Sequence, residues 1–282
     1  MTWLYLSFGA AICYSCLLIF SRVVSVESKN PRALSLAFNL VSIVMAVILF
    51  LLTDSHNNLS LPTQSGAWIY LLIAAFFYGM YERLRFFVAK ALDASIFSII
   101  NNLSVVIAFF LSIFLYKETL SISKSIGFFL ILLSLFLVIE TKKAKFNLKG
   151  VVLGIITSVC IGIAWGLDKK GVIFFKPEIY NLLAWLVPFI VLYFPGIKIK
   201  EIKTEFKRFS WKIVLLSFFN FLGFYLGLKA FVLTDATKVI PVIQTSTLMT
   251  VLAGIFLLKE RSNLTKKILA GVIAVVGVFL LR

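Results

Sequence analysis

The sequence predicts an all-α integral membrane protein with ten transmembrane helices, arranged as two inverted five-helix repeats. Three observations carry this reading. Hydrophobic residues make up 61% of the 282-residue chain and the mean hydropathy is +1.03, outside the range of ordinary soluble domains. Apolar runs of about 17 to 25 residues, each able to cross a bilayer core of roughly 30 Å, recur from end to end. The second half of the chain also echoes the first at a fixed offset.

The predicted spans are residues 3–23, 33–52, 68–90, 94–116, 123–140, 150–172, 179–195, 212–233, 237–258 and 267–281. The first lacks a basic leading region and a small-x-small cleavage site, so it reads as a retained helix. The runs are too long for barrel strands and lack their alternation. The longest connections, 53–66 and 196–211, are polar and leave no room for a soluble domain. The third span is unusual in carrying Glu82, Arg83, Arg85 and Lys90.

The repeat is read from paired residues. "IFLYKE" closes the fourth span and "IFLLKE" the ninth, placing Glu118 and Glu260 at an offset of 142. Phe76-Phe77 and Phe218-Phe219, Asp93-Ala94 and Asp235-Ala236, and Ser104 and Ser246 share that offset. A weaker register of 147 joins Cys13 to Cys160, Arg22 to Lys169 and Ala37 to Ala184. The unit is therefore five helices, giving repeats of 1–146 and 147–282. Because five is odd, the second copy enters the membrane from the opposite side, an arrangement recurrent in secondary transporters. Gly150 and Gly154, Gly162 and Gly166, and Gly223 and Gly227 have the spacing of close helix contacts.

With "FLYKE", "FLLKE", "LTDATKVIPVIQT" and "AWGLDKK" in these places, the chain resembles the EamA-like members of the drug/metabolite transporter superfamily. The resemblance spans the whole chain. It implies a central cavity lined mainly by the first, third, fourth, sixth, eighth and ninth helices, opening alternately to each side. Lys117 and Lys259 depart from the glycine the family often places before the glutamate, and Leu18-Ile19 stands where the sixth helix has Trp165-Gly166.

The candidate site follows from depth and pairing. At a 1.5 Å rise per residue, Asn102 lies about 12 Å into a core of roughly 30 Å, near the midplane. Its repeat partner is Gln244, with Asn101 and Thr245 alongside. Matched amides at the midplane suit a substrate site between two copies, while interhelical bonding is the rival reading. Pro241, one turn before Gln244, removes a backbone donor and frees a carbonyl.

Glu82, about 21 Å along the third span, lies at i, i+3 from Arg85. The eighth helix has Phe224, Tyr225 and Gly227 at the positions matching Glu82, Arg83 and Arg85, so the scaffold does not require the charges. Glu82 is read either as a cation ligand, proton acceptor or gate, or as half of an interfacial ion pair. Arg83 and Lys90 read as snorkelling anchors. Tyr78, one turn before Glu82, pairs with Asn220 across the repeat, and Tyr14, Trp165 and Tyr225 add aromatic surface for a planar or cationic group. Lys229 reads as snorkelling rather than anion-binding, Asp168-Lys169-Lys170 as the solvated end of the sixth helix with a gate as the alternative, and Glu118 and Glu260 as capping or pairing residues, with Lys124 and Lys266 nearby.

Neither a metal nor a cofactor is indicated. Cys13, Cys16 and Cys160 lack ligand spacing, and the single histidine, His56, falls in a loop. The formal net charge of +16 reflects lysine and arginine clusters beside spans, including Lys142, Lys143, Lys145 and Lys149, so anionic lipid head groups rather than nucleic acid are the expected partners. Odd-numbered connections and the end of the third span hold 20 of the 28 Lys and Arg residues, which places the termini outside. The family resemblance implies termini in the cytoplasm.

The function read from the sequence is a secondary exporter or exchanger of small metabolites such as amino acids or related polar or amphipathic compounds. It is expected in the bacterial inner membrane as a monomer or weak homodimer. No nucleotide-binding motif supports an ATP-driven cycle; proton coupling, exchange against a counter-substrate and facilitated diffusion stay open. A lipid or lipophilic-drug transporter and a non-transporting scaffold are the alternatives. A membrane enzyme is disfavoured, because no helix face gathers the His, Asp or Ser residues that it needs.

Overall fold

The computed structural model describes residues 1–53, 57, 60–116, 121–139, 147–234, 236–260 and 263–280, and no strand occurs among them. His56, Glu118, Lys142, Lys143, Lys145 and Asp235 lie outside the described residues.

The first half contains α1 (Thr2–Glu27), α2 (Pro31–Leu52), α3 (Ser65–Ala91), α4 (Ala94–Asn101), α5 (Leu103–Tyr116) and α6 (Ile122–Ile139). The second contains α7 (Leu148–Phe174), α8 (Pro177–Tyr193), α9 (Ile199–Phe209), α10 (Trp211–Leu233), α11 (Ala236–Gln244), α12 (Ser246–Phe256) and α13 (Leu264–Leu280). Local chemistry sets several starts. Pro31 and Pro177 stand in first turns, and the side chains of Asn30 and Asn147 accept from Ala33 N at 3.2 Å and Gly150 N at 3.0 Å.

Thirteen helices among the described residues replace the ten runs expected, for two reasons. The fourth and ninth runs are each broken near their middle, at Asn102 and Thr245. The connection 196–211, expected to be a polar loop, contains α9, whose Ile199, Ile202, Phe206 and Phe209 recur at helical spacing. Glu205 docks α9 on the turn after α1: it accepts from Ser28 Oγ at 2.8 Å and from the backbone N–H groups of Lys29 and Asn30, each at 3.1 Å.

Four helices, α1, α2, α7 and α10, are individually long and apolar enough to cross a bilayer. The outside of the bundle is apolar, with Leu52, Phe114, Phe129, Phe136, Ile190 and Phe256 exposed. The interior instead gathers polar groups, including Ser35, Asn39, Glu82, Arg85, Asn102, Asp168 and Gln244. A lipid environment favours this distribution, because polar atoms have to find partners inside the protein.

The main pairings are α1 with α10, α3 with α7, and α6 with α13. Small residues permit two of the closest approaches. A Cβ at Gly162 would come within 2.5 Å of the Ser104 carbonyl oxygen on α5, and one at Gly223 within 3.0 Å of Cys13 Cβ on α1. The paired glycine spacings thus mark helix contacts, although Gly227 has only Ile243 nearby, at 3.6 Å.

One end of the bundle collects the basic side chains. Here the cations cap helix C-termini, which carry partial negative charge. Arg22 Nη1 donates to the carbonyls of Ala89 at 2.9 Å and Lys90 at 2.7 Å, and Lys90 Nζ to that of Ser28 at 2.7 Å. Arg83 Nη1 donates to the carbonyls of Val191, at 3.1 Å, and Phe194. Arg83 and Lys90 are therefore helix clamps rather than free snorkelling anchors.

Candidate functional site

Seven of the ten candidate residues meet around one cavity of about 60 Å³ in the middle of the bundle: Tyr14, Tyr78, Glu82, Asn101, Trp165, Asn220 and Gln244. They come from α1, α3, α4, α7, α10 and α11, so helices of both halves build the wall. A second, adjoining chamber shares Tyr14, Trp165 and Gln244 and adds Asp168, Phe231 and Ile240.

Glu82 and Arg85 form the expected ion pair, with Arg85 Nη1 3.2 Å from Glu82 Oε1. The pair does not reach water. Arg85 is 0% exposed and Glu82 4%. The guanidinium carbon lies 4.5 Å from the Phe38 ring centre and 4.6 Å from that of Phe86, so two rings and one carboxylate stabilise the cation. Asn220 Nδ2 donates to the same Glu82 oxygen at 3.1 Å and ties α10 to α3.

Asn102 does not line the cavity. At the break between α4 and α5 its backbone N–H bonds back three residues to the Ile99 carbonyl at 3.1 Å, leaving the Ser98 carbonyl without its usual donor. The Asn102 side chain supplies one, donating to Ser98 O at 3.1 Å and Ile99 O at 3.3 Å and bonding Thr247 Oγ1 at 3.0 Å. Thr245 marks the break in the other half: its N–H reaches back three residues to the Val242 carbonyl at 3.2 Å, and its hydroxyl donates to that same oxygen at 2.7 Å. Both residues adopt the same backbone turn, φ −63° and −59° with ψ −18°. Polar side chains thus bond the backbone at both breaks, while Gln244, the repeat partner of Asn102, lines the cavity.

Tyr225 also lies off the cavity. Its hydroxyl donates to Glu178 at 2.9 Å, beside Lys229 at 2.6 Å from the same carboxylate oxygen. Lys229 thus belongs to an ion pair between α8 and α10.

Sequence reasoning missed Trp185 and placed Asp168 in the wrong setting. Trp185 is on α8, a helix outside the expected lining set, and lines the cavity beside Ala184 and Pro188. Asp168 was expected at a solvated helix end, but α7 continues to Phe174 and buries it to 1% exposure. Its carboxylate accepts from Tyr180 Oη at 2.7 Å and from Tyr78 Oη. The apolar Val172-Ile173-Phe174 after the lysines was the available signal that the helix runs on.

At the basic end, Glu260 joins the two halves. Its carboxylate accepts the backbone N–H groups of Ala94 at 2.8 Å and Ser95 at 3.1 Å, plus the Ser95 hydroxyl, at the N-terminus of α4. Lys267 Nζ, 3.9 Å from Glu260 and 2.7 Å from Asp93, completes the junction in place of the expected Lys266. α4 packs on α12 here, while no comparable packing joins α5 to α11 among the described residues.

Four residues that line the main cavity each carry a buried side-chain atom with no hydrogen-bond partner among the described residues: Glu82 Oε2, Asn101 Oδ1, Trp185 Nε1 and Gln244 Nε2. Two accept and two donate. Buried polar atoms are almost always bonded, so the grouping of these four residues around one space suits a ligand bearing both donors and acceptors. Among the described residues no group of His, Cys, Asp and Glu has the arrangement of a metal site.

Comparison with known proteins agrees with this architecture. The sequence profile of the EamA-like transporter family matches residues 1–140 and again 148–282. No curated protein matches the chain. A crystal structure of another protein superposes with a TM-score of 0.64 over 99% of this chain and 95% of that one, at 13% sequence identity. At that identity the likeness is one of fold alone.

Proposed function

Because the chain belongs to the EamA-like transporter family, within the drug/metabolite transporter superfamily, it is a multi-pass membrane transporter, and we propose that it carries small polar or amphipathic metabolites, amino acids foremost. In this reading ten spans form two inverted five-helix units, 1–146 and 147–282, in a bacterial inner membrane. The breaks at Asn102 and Thr245 keep the fourth and ninth spans as single crossings, and α9 lies outside the count. The observation that carries the proposal is the set of four cavity-lining residues that each carry a polar atom without a partner among the described residues. Glu82 Oε2 and Asn101 Oδ1 suit an ammonium group, Trp185 Nε1 and Gln244 Nε2 suit a carboxylate, and Tyr14 and Trp165 supply an apolar wall.

Transport proceeds by alternating access. In this reading the basic end is closed by Glu260, which follows α12 and accepts from the N-terminus of α4, and the second chamber, lined by Asp168 and Phe231, leads toward the other end. Rocking the halves about the cavity exchanges one seal for another. Interaction with the bilayer runs through the apolar exterior and the exposed lysines of α9.

Counterflow in proteoliposomes tests the proposal. Vesicles preloaded with an unlabelled amino acid mixture accumulate a labelled mixture of the same composition faster than protein-free vesicles. Equal rates in the two preparations would contradict amino acid transport.

A further inference from the structure

We propose that Asp168 is a proton-binding site and that its proton drives the transport cycle, an inference that rests on the transporter reading above. The sequence directs attention to Glu82 for this role, but the geometry points elsewhere. Glu82 has Arg85 at 3.2 Å and Asn220 at 3.1 Å. Glu178 has Lys229, and Glu260 has Lys267 together with two backbone N–H groups. Glu205 is held by two backbone N–H groups and Ser28. Asp168, equally buried, has only the Tyr78 and Tyr180 hydroxyls, and no cation pairs with it among the described residues. Two neutral hydroxyls offset a carboxylate charge incompletely, and in a membrane interior binding a proton removes the remaining cost.

The position suits coupling. Asp168 lines the chamber that adjoins the main cavity, and Tyr78, which donates to it, lines the main cavity itself. A ligand seated against Tyr78 and Trp165 therefore touches the hydroxyl that reports the charge of Asp168. The titratable groups facing Asp168 are Tyr78 from α3, Tyr180 from α8 and, across the chamber, Tyr14 from α1. Tyr225 and Lys229 of α10 are engaged by Glu178. α4 carries no titratable side chain, α5 has only Tyr116 at its end, Lys238 precedes the lining Ile240 on α11, and Lys169 and Lys170 follow Asp168 along α7.

The step is balanced. A proton from water adds to one carboxylate oxygen, and the tyrosine that had donated there turns its hydroxyl to accept. Release reverses both movements and returns the proton to water. Whatever factor proton binding applies to substrate affinity, substrate binding applies to proton affinity.

Infrared difference spectroscopy of the protein reconstituted in lipid reads the site without a substrate. On a pH step, the wild type and Glu82→Gln show the carbonyl stretch of a protonating carboxyl, and Asp168→Asn loses it. Asp168→Glu, which keeps an ionisable group should the asparagine variant not fold, retains the signal at a shifted frequency. A signal that survives in Asp168→Asn, or one that disappears in Glu82→Gln, overturns the assignment. For coupling, the readout is accumulation of the labelled amino acid mixture under an imposed pH gradient. It rises with the gradient in the wild type and is indifferent to it in Asp168→Asn; a wild type indifferent to the gradient overturns the driving role. Failure of counterflow would instead strike the amino acid reading and leave the infrared result standing.

Discussion

Asn220 Nδ2 donates to Glu82 Oε1 at 3.1 Å, and this bond crosses from the second half of the chain to the first beside the central cavity. The same oxygen accepts from Arg85, so one carboxylate atom holds a charge pair and a link between α3 and α10. The other oxygen has no hydrogen-bond partner among the described residues. In the proposed function that division separates structure from binding within one side chain.

Removing Arg85 is expected to cost stability as well as function. Arg85→Met strands Glu82 as an uncompensated buried charge, a loss of about 3–5 kcal/mol. Combining it with Glu82→Gln removes the stranded charge and restores most of the stability. Denaturant unfolding in detergent checks both, and additive losses in the double variant would contradict the pairing.

Asn102 and Gln244 are predicted to behave differently despite their matched positions. Asn102→Ala unstitches the helix break and costs about 1 kcal/mol of stability, in the range of interhelical bonds in membranes, while leaving ligand selectivity in place. Gln244→Ala leaves melting nearly unchanged and abolishes the ligand response. Melting curves of the two variants, with and without ligand, decide the matter.

Glu260 is predicted to hold the basic end shut. Glu260→Ala removes the anion from the N-terminus of α4, a loss of about 1–2 kcal/mol by comparison with helix caps, and it also opens a path from that end. In a background with Cys13, Cys16 and Cys160 replaced, Ser98→Cys reacts with a membrane-impermeant maleimide applied at the basic end faster when Glu260 is alanine. Equal rates would mean that Glu260 seals nothing.

Gly171 makes room for Tyr180. A Cβ there would lie 2.1 Å from the Tyr180 ring, so Gly171→Ala forces the ring off Asp168 at a cost of about 1–3 kcal/mol. Tyr180→Ala added to Gly171→Ala is then less damaging than the sum of the two changes. A fully additive pair, measured by unfolding, would show that the ring moves aside freely.

The membrane class, the repeat and most of the cavity were legible because each leaves a pattern along the chain: apolar run length, a constant offset, and polar residues at matched depth. Depth does not specify which way a side chain faces. Asn101 and Asn102 are neighbours, yet one lines the cavity and the other mends a helix break, because consecutive helical residues point to different faces. Charge raised the opposite difficulty. Asp168 stood beside two lysines and resembled a helix terminus, although the continued apolar run buried it. Arg83 and Lys90 resembled lipid anchors because their partners, carbonyls at the ends of other helices, have no signature in sequence. α9 was hidden because its apolar positions are few and separated by charge.

The central claim, that the polar atoms around the cavity select a small metabolite, is tested most directly by ligand-dependent melting of the detergent-purified protein. A panel of amino acids, nucleobases, amines, sugars, organic acids and lipophilic cations is applied to the wild type, Asn101→Ala and Gln244→Ala, since a ligand that binds the folded state raises its melting temperature. The prediction is a rise confined to amino acids and lost in both variants. A rise confined to lipophilic cations, or an amino acid response that survives both substitutions, would contradict it.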